Sequence, residues 1–259
     1  MAVQSPALPR VDVEPVAWPA PGRARRPRGR RLPLWLTASA IVVGLISILP
    51  VIYVVWQAAA VGADEALRLL LRPRVGLLLA NTAALTATTT AACAVLGLGV
   101  AWGVERTDLP GRSVWAVVAA LPIAIPAFIA SYGWVSLTSA VEGLGGATLI
   151  LSLAYYPLVY LPVVAMLRGM DPCLEEAARS LGQGPWRVFF RVTLPQIGPA
   201  LLGGCLLVAL HVLGEFGSFA LLRFPTFTTA IFDQYRLTYD GAAAAMLALV
   251  LVALCLLLL

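Results

Sequence analysis

The chain has 259 residues, 60% hydrophobic and 12% charged, with a formal net charge of +5. Soluble domains carry about 25% charged residues, and apolar runs of about 18 residues or more recur here, so the composition excludes a soluble globular domain and indicates a polytopic, all-α membrane protein. All 18 basic residues are arginine, and their placement fits membrane orientation better than nucleic acid, so no nucleic-acid partner is expected.

Residues 1–32 carry no apolar face. Six prolines and the run RARRPRGRR, Arg23 to Arg31, read as a disordered cytoplasmic tail. A cleaved signal peptide competes, but the apolar run from Leu32 to Val61 exceeds the roughly 7–15 residues of a signal core. Residues 33–259 form a transmembrane domain with six predicted spans: about Pro33–Ala60, Val75–Val104, Ser113–Ser139, Ala147–Arg168, Ile197–Leu222 and Gly241–Leu259. With the N-terminus inside, 13 arginines fall in cytoplasmic segments and five outside, as the positive-inside rule requires. The last span reaches Leu259 with no polar flank, which is expected of the first half of a longer chain.

In span two, Thr82, Thr86 and Thr90 recur at i, i+4 and i+8. Close helix packing with interhelical hydrogen bonds explains them, and pore lining remains open. Span three contains Pro122 and Pro126. Each frees backbone carbonyls and bends a helix, and irregular backbone at membrane depth is tolerated where it faces protein or a water-filled cavity. The bend is therefore read as lining a water-filled pathway, with a kink needed only for packing as the alternative. Span four carries Tyr155, Tyr156, Pro157, Tyr160 and Pro162. Phenolic oxygens suit hard cations, although tyrosines in a span also serve as anchors or core. Tyr156 is taken as a pathway candidate.

Glu175 to Pro195 is a polar break placed on the cytoplasmic side, within a loop at 169–196. Asp171 can cap a helix with Pro172 in its first position and Glu175 and Glu176 in its first turns. Gly182 ends that helix in a left-handed conformation. Gly184 and Pro185 restart the chain, PWRVFFRV makes a second short helix, and Pro195 closes the unit. Trp186, Phe189 and Phe190 lie within one turn of each other. From the residues alone, a protein interface and an amphipathic loop lying on lipid stay equally open. A DNA-reading helix pair fits the shape, but tethering between two spans argues against it.

Span five holds Glu215 in apolar sequence, with His211 one turn before it. A carboxylate at a helix centre costs roughly 2.5–3.5 kcal/mol, so Glu215 must face a cavity or a partner. His211 and Glu215 are gate candidates, and a proton relay through the pair is the basis of a competing reading as a secondary transporter. The four cysteines, Cys93, Cys173, Cys205 and Cys255, show no metal or disulfide spacing. With one histidine and no nucleophile constellation, a membrane-embedded enzyme is the weakest class.

EAARSLGQGPWRVFFRVTLP resembles the coupling loop of ATP-binding-cassette (ABC) importer permeases. That pattern is Glu-Ala-Ala, three residues, Gly, nine residues, an aliphatic, one residue, Leu-Pro. Glu176, Ala177, Ala178, Gly182, Val192, Leu194 and Pro195 stand at those offsets, with valine where isoleucine is commoner. NTAALTATTTAACAVLGLGVAWGVERTDLPGR and LLRFPTFTTAIFDQY look most like the iron(III) type, and GEFG resembles the fifth span of sulfate, molybdate and iron permeases alike. The resemblance implies a type I importer permease fold and transport by alternating access in the bacterial inner membrane. Glu176, Ala177, Ala178, Gly182, Trp186, Phe189, Leu194 and Pro195 are then expected to couple to a separate ATPase dimer. A periplasmic binding protein, a second permease half and membrane lipid are the other implied partners. No cofactor is expected on this chain: it has no Gly-x-x-x-x-Gly-Lys-Ser/Thr loop, so ATP belongs to the partner. Ferric iron is the leading cargo, with thiamine, polyamine, sulfate and molybdate as alternatives.

Overall fold

The computed structural model describes residues 34–60 and 63–259; the expected tail at 1–32 lies outside them. The helices are α1 (Leu34–Ala59), α2 (Ala63–Leu70), α3 (Pro73–Arg106), α4 (Arg112–Ala120), α5 (Ala127–Leu137), α6 (Gly143–Tyr155), α7 (Pro157–Gly169), α8 (Cys173–Ser180), α9 (Pro185–Val188), α10 (Leu194–Gly214), α11 (Gly217–Leu221), α12 (Phe227–Arg236) and α13 (Gly241–Leu258). No strand occurs among the described residues. The chain falls into two units that divide after Ile48. The described residues of the first, 34–48, are wholly helical. The second, Leu49–Leu259, holds the packed bundle described below.

Among the described residues, five helical stretches are long and apolar enough to cross a membrane: α1, α3, α6 with α7, α9 with α10, and α13. The sixth candidate is α4 with α5, and here the structure corrects the expectation of one bent helix. The chain breaks between Ala124 and Ala127 and turns by 89°. Neither Pro122 nor Pro126 has an N–H to continue the ladder. Leu121–Ala124 tightens into a 3₁₀ turn, closed by Ile125 N–H to the Pro122 carbonyl at 3.1 Å. Ile125 itself is extended (φ −99°, ψ 117°), as a residue preceding proline prefers.

Span five is also corrected, at both ends. Pro195 does not close a separate short helix. Helical backbone runs unbroken from Pro185 to Gly214, through a π-helical turn at Phe189–Thr193. The reason is Pro195 itself: it cannot donate to Arg191, and its ring would crowd that carbonyl. The turn widens so that the Leu194 N–H reaches the Phe189 carbonyl, five residues back. At the other end the helix stops at Gly214 instead of continuing to Leu222. Glu215 is extended (φ −73°, ψ 137°), so it caps a helix where the sequence places it mid-helix.

The core forms where α3, α7 and α10 pack pairwise. Val159 of α7 is fully buried between two glycines. A side-chain carbon on Gly97 of α3 would lie 2.8 Å from the Val159 Cβ, and one on Gly204 of α10 would lie 2.8 Å from the Val159 Cα. Small residues let membrane helices approach this closely. Of Thr82, Thr86 and Thr90, Thr82 makes an interhelical bond, its Oγ1 accepting the Phe227 N–H at 3.2 Å, and Thr90 Oγ1 is buried with no hydrogen-bond partner among the described residues; Thr88, outside that set, pairs with Thr148 at 3.0 Å. Thr86 turns back to the Thr82 carbonyl at 2.7 Å.

At the polar end of this bundle the carboxylate of Glu105 is 2% exposed. Arg168 of α7 reaches it at 2.8 Å, and Arg112, at the start of α4, bonds its other oxygen. The turn between α3 and α4 is thereby fixed to α7. The two arginines are half-exposed and keep water when the carboxylate is lost, whereas the carboxylate without them is an unpaired buried charge.

Two stability tests follow from this packing. Gly204→Ala is expected to lower the melting temperature of the detergent-solubilised protein, at a cost of about 1–3 kcal/mol for overpacking against fixed backbone. Gly203→Ala, which meets open space, should leave the melting temperature unchanged or raise it. The double variant Arg112→Ala/Arg168→Ala is expected to cost about 3–5 kcal/mol and Glu105→Ala distinctly less; thermal unfolding of both variants checks the asymmetry.

Candidate functional site

The segment from Gly169 to Thr193 joins α7 to the polar start of α10. Asp171 caps α8 as its sequence predicts: its Oδ1 accepts the Cys173 N–H at 3.0 Å. That donated N–H holds the Asp171 carboxyl below its ordinary range. The end of α8 follows from Gly182, whose φ of +76° is open to glycine at little cost. Its N–H bonds the Arg179 carbonyl at 2.9 Å, and the Gln183 N–H bonds the Ala178 carbonyl at 3.2 Å. These two bonds form a Schellman stop. A side chain on Gly182 would meet open space, so the requirement for glycine here is one of backbone angle, not of room.

The two glutamates of α8 separate by face. Glu176 and Ala177 are exposed; Glu175 and Ala178 are buried. Glu175 Oε1 accepts from Arg106 Nη2 at 3.2 Å and from Thr193 Oγ1 at 3.0 Å. The sequence reasoning missed Glu105, Arg106 and Thr193. The i, i+3 spacing of Glu175 and Ala178 is the available signal, since it puts both on one helix face.

Past Gly184 the aromatic cluster is graded. Trp186 is 74% exposed and Phe190 59% exposed, with ring centroids 6.3 Å apart and stacked. Phe189 is half-buried and packs edge-on against Trp102 of α3 at 4.8 Å, so it holds the outer aromatics to the bundle. Leu181, beside the Gly182 stop, is 80% exposed. Leu194 is half-buried and Pro195 exposed at the exit of the π-helical turn. Together these residues present Glu176, Leu181, Trp186 and Phe190 outward on a frame held from behind.

The pathway candidates are brought together only in part. A cavity of about 270 Å³ lies at the break before α5, lined by Ile125, Pro126, Tyr155, His211 and Glu215 among others. Pro122 and Tyr156 are not among its lining residues. The Tyr156 carbonyl lies against Gly97, and its neighbour Tyr155 takes the cavity position. Tyr155 donates its hydroxyl to Glu215 Oε2 at 2.8 Å. Glu215 Oε1 accepts the Ser218 N–H and hydroxyl, each at 2.9 Å, and the Glu215 carbonyl accepts from Thr228 at 2.7 Å. The carboxylate thus ties the end of α10 to α11 and α6. His211 Nδ1 lies 2.9 Å from the Leu207 carbonyl of its own helix, and its ring rests on Tyr155. No hydrogen bond joins His211 to Glu215 among those described. No three metal-ligating side chains converge among the described residues.

A family model described as the binding-protein-dependent transport system inner membrane component matches residues 93–259. The Fe(3+)-transport system permease protein FbpB 2 of Haemophilus influenzae is 42% identical over 228 residues, covering 88% of this chain and 45% of that protein. The sulfate transport system permease protein CysW of Synechocystis is 32% identical over 185 residues, 61% of this chain and 66% of that one. The chain thus spans less than two thirds of the length of both. Among solved structures, a chain of the inward-facing MetNI methionine ABC transporter aligns over 72% of this chain and 93% of its own, with TM-score 0.60 and 19% identity. A chain of a bacterial alginate ABC transporter in complex with a periplasmic protein aligns over 86% and 91%, with TM-score 0.64 and 16% identity; at these identities the likeness is one of fold. A helical chain with a polar loop between its fourth and fifth spans, matched by this family model over more than half its length, belongs to the family of binding-protein-dependent transport system inner membrane components.

Proposed function

We propose that the chain forms half of the membrane pathway of an ABC importer and that the segment from α8 to Phe190 is its docking surface for an ATPase subunit. The observation that carries this reading is the outward patch of Leu181, Trp186 and Phe190 beside exposed Glu176. Trp is enriched among residues that dominate binding energy, and a carboxylate at the rim gives charge selectivity. The chain has no lysine and so no phosphate loop; ATP binds the partner. The arginine bias supports a cytoplasmic N-terminus and puts the patch in the cytoplasm with the ATPase.

A periplasmic binding protein delivers the cargo, a second permease half completes the pathway, and lipid covers the remaining apolar helix faces. Similarity to FbpB 2 over 88% of the chain supports ferric iron as cargo, with sulfate and molybdate as the next candidates. The broken third span, with its cavity at Pro126 and Glu215, supports a pathway there, since irregular backbone at membrane depth is tolerated where it lines a cavity. Alternating access then needs no covalent chemistry on this chain.

Trp186→Ala is expected to weaken ATPase capture by about 30-fold, equivalent to about 2 kcal/mol, in a binding titration of the detergent-solubilised permease. Gly182→Asp and Glu176→Gln are expected to leave helix content intact and abolish uptake; wild-type uptake in both refutes the docking surface. For cargo, binding proteins loaded with ferric iron, sulfate, molybdate, thiamine or polyamine are compared for stimulation of ATPase activity in proteoliposomes. The ferric form should stimulate most, and stimulation by another alone reassigns the cargo.

A further inference from the structure

We infer that Arg106, Glu175 and Thr193 form the joint through which α8 moves the membrane bundle, with Glu175, not the outward Glu176, as the positioning residue. The inference rests on the docking surface proposed above. A helix that passes on force must be held from behind, and α8 has little apolar hold: its buried apolar residue is the small Ala178, and Leu174 is exposed. Its hold is the carboxylate of Glu175, 6% exposed as a residue. A single oxygen, Oε1, receives Arg106 from the end of α3 and Thr193 from the π-helical turn that opens α10. Arg106 Nη2 also lies 3.4 Å from the Leu167 carbonyl near the end of α7. The carboxylate oxygen and Arg106 together therefore gather the polar ends of the three helices that pack together at Val159.

The other charges around this oxygen do not share the task. Arg179 lies 3.9 Å from Glu175 Oε2 but belongs to α8 itself, and its side chain is 60% exposed, so it adds little. Glu105, the neighbour of Arg106, is held by Arg112 and Arg168 with no bond to α8. It is the fixed base beside the moving joint. With the Glu175 side chain 8% exposed and that of Arg106 22% exposed, the pair resists separation, because parting it strands a buried carboxylate. Movement of α8 is therefore passed on through Arg106 and Thr193 and does not slip past them. The π-helical turn, which holds Thr193, is the adjacent element able to take up a change of register.

The test uses the permease purified with its ATPase subunit in proteoliposomes. The readout is ATPase activity with a loaded binding protein divided by basal activity, using the binding protein that stimulates the wild type most. Glu175→Gln and Arg106→Gln should each lower this ratio about tenfold, within the range of coupling between sites. The double variant should be no worse than either single one. Thr193→Val should lower the ratio about fivefold, the worth of one hydrogen bond. ATPase capture should stay at the wild-type level in all of them, which separates the joint from the docking surface and from mere folding. Captured complexes with unchanged ratios overturn the joint alone. So does loss of assembly in Glu175→Gln when Arg106→Gln and Thr193→Val keep the wild-type ratio. A wild-type permease that captures no ATPase overturns the docking surface, and the joint with it.

Discussion

Val159 passes between Gly97 and Gly204 with no space for a side-chain carbon on either. In a bilayer there is no hydrophobic force between apolar helices, so close van der Waals contact has to bind them. This contact fixes the distance between α3, α7 and α10, and it sets where their ends lie. Arg106, Leu167 and Thr193 reach one place because three helices of given length leave one tight crossing. Had the glycines been larger, the ends would splay and the carboxylates at the polar rim would lose their donors.

The rim shows what that placement allows. Two carboxylates from different elements, Glu105 and Glu175, are both buried and both paired with arginine. Burial of a lone carboxylate there would be prohibitive. Each is satisfied by groups far away in sequence, 63 residues in the bond from Arg168 to Glu105 and 69 in the bond from Arg106 to Glu175. The far end of α10 follows the same rule with neutral partners. Glu215 leaves the helix and is satisfied by Tyr155 and Ser218, so the apolar surroundings hold a carboxylate without an arginine.

Much of this was legible beforehand. The apolar runs place the spans because length and hydropathy alone decide what can cross a bilayer. The cap at Asp171 and the stop at Gly182 were legible because both are local: a side chain bonding two residues on, and a backbone angle that favours glycine. The errors are at prolines and charges. Pro195 looks like a terminator, yet the chain widens by one residue and continues. Pro122 and Pro126 look like a bend, yet two missing donors four residues apart open a full break. Glu215 looks buried in a helix because nothing local announces that Ser218 and Tyr155 will compete for it.

The sequence by itself determined the membrane class, the apolar runs that form the candidate spans, the polar loop between α7 and α10 and the family pattern within that loop. Each depends on composition or on spacing within one segment. Only the tertiary structure decided which of two adjacent glutamates faces outward and which is the buried anchor, and that Tyr155, not Tyr156, meets Glu215. A helix turns about 100° per residue, so neighbours in sequence are committed to different faces. Which face is buried depends on partners 18 to 69 residues away, brought near by the crossing at Val159.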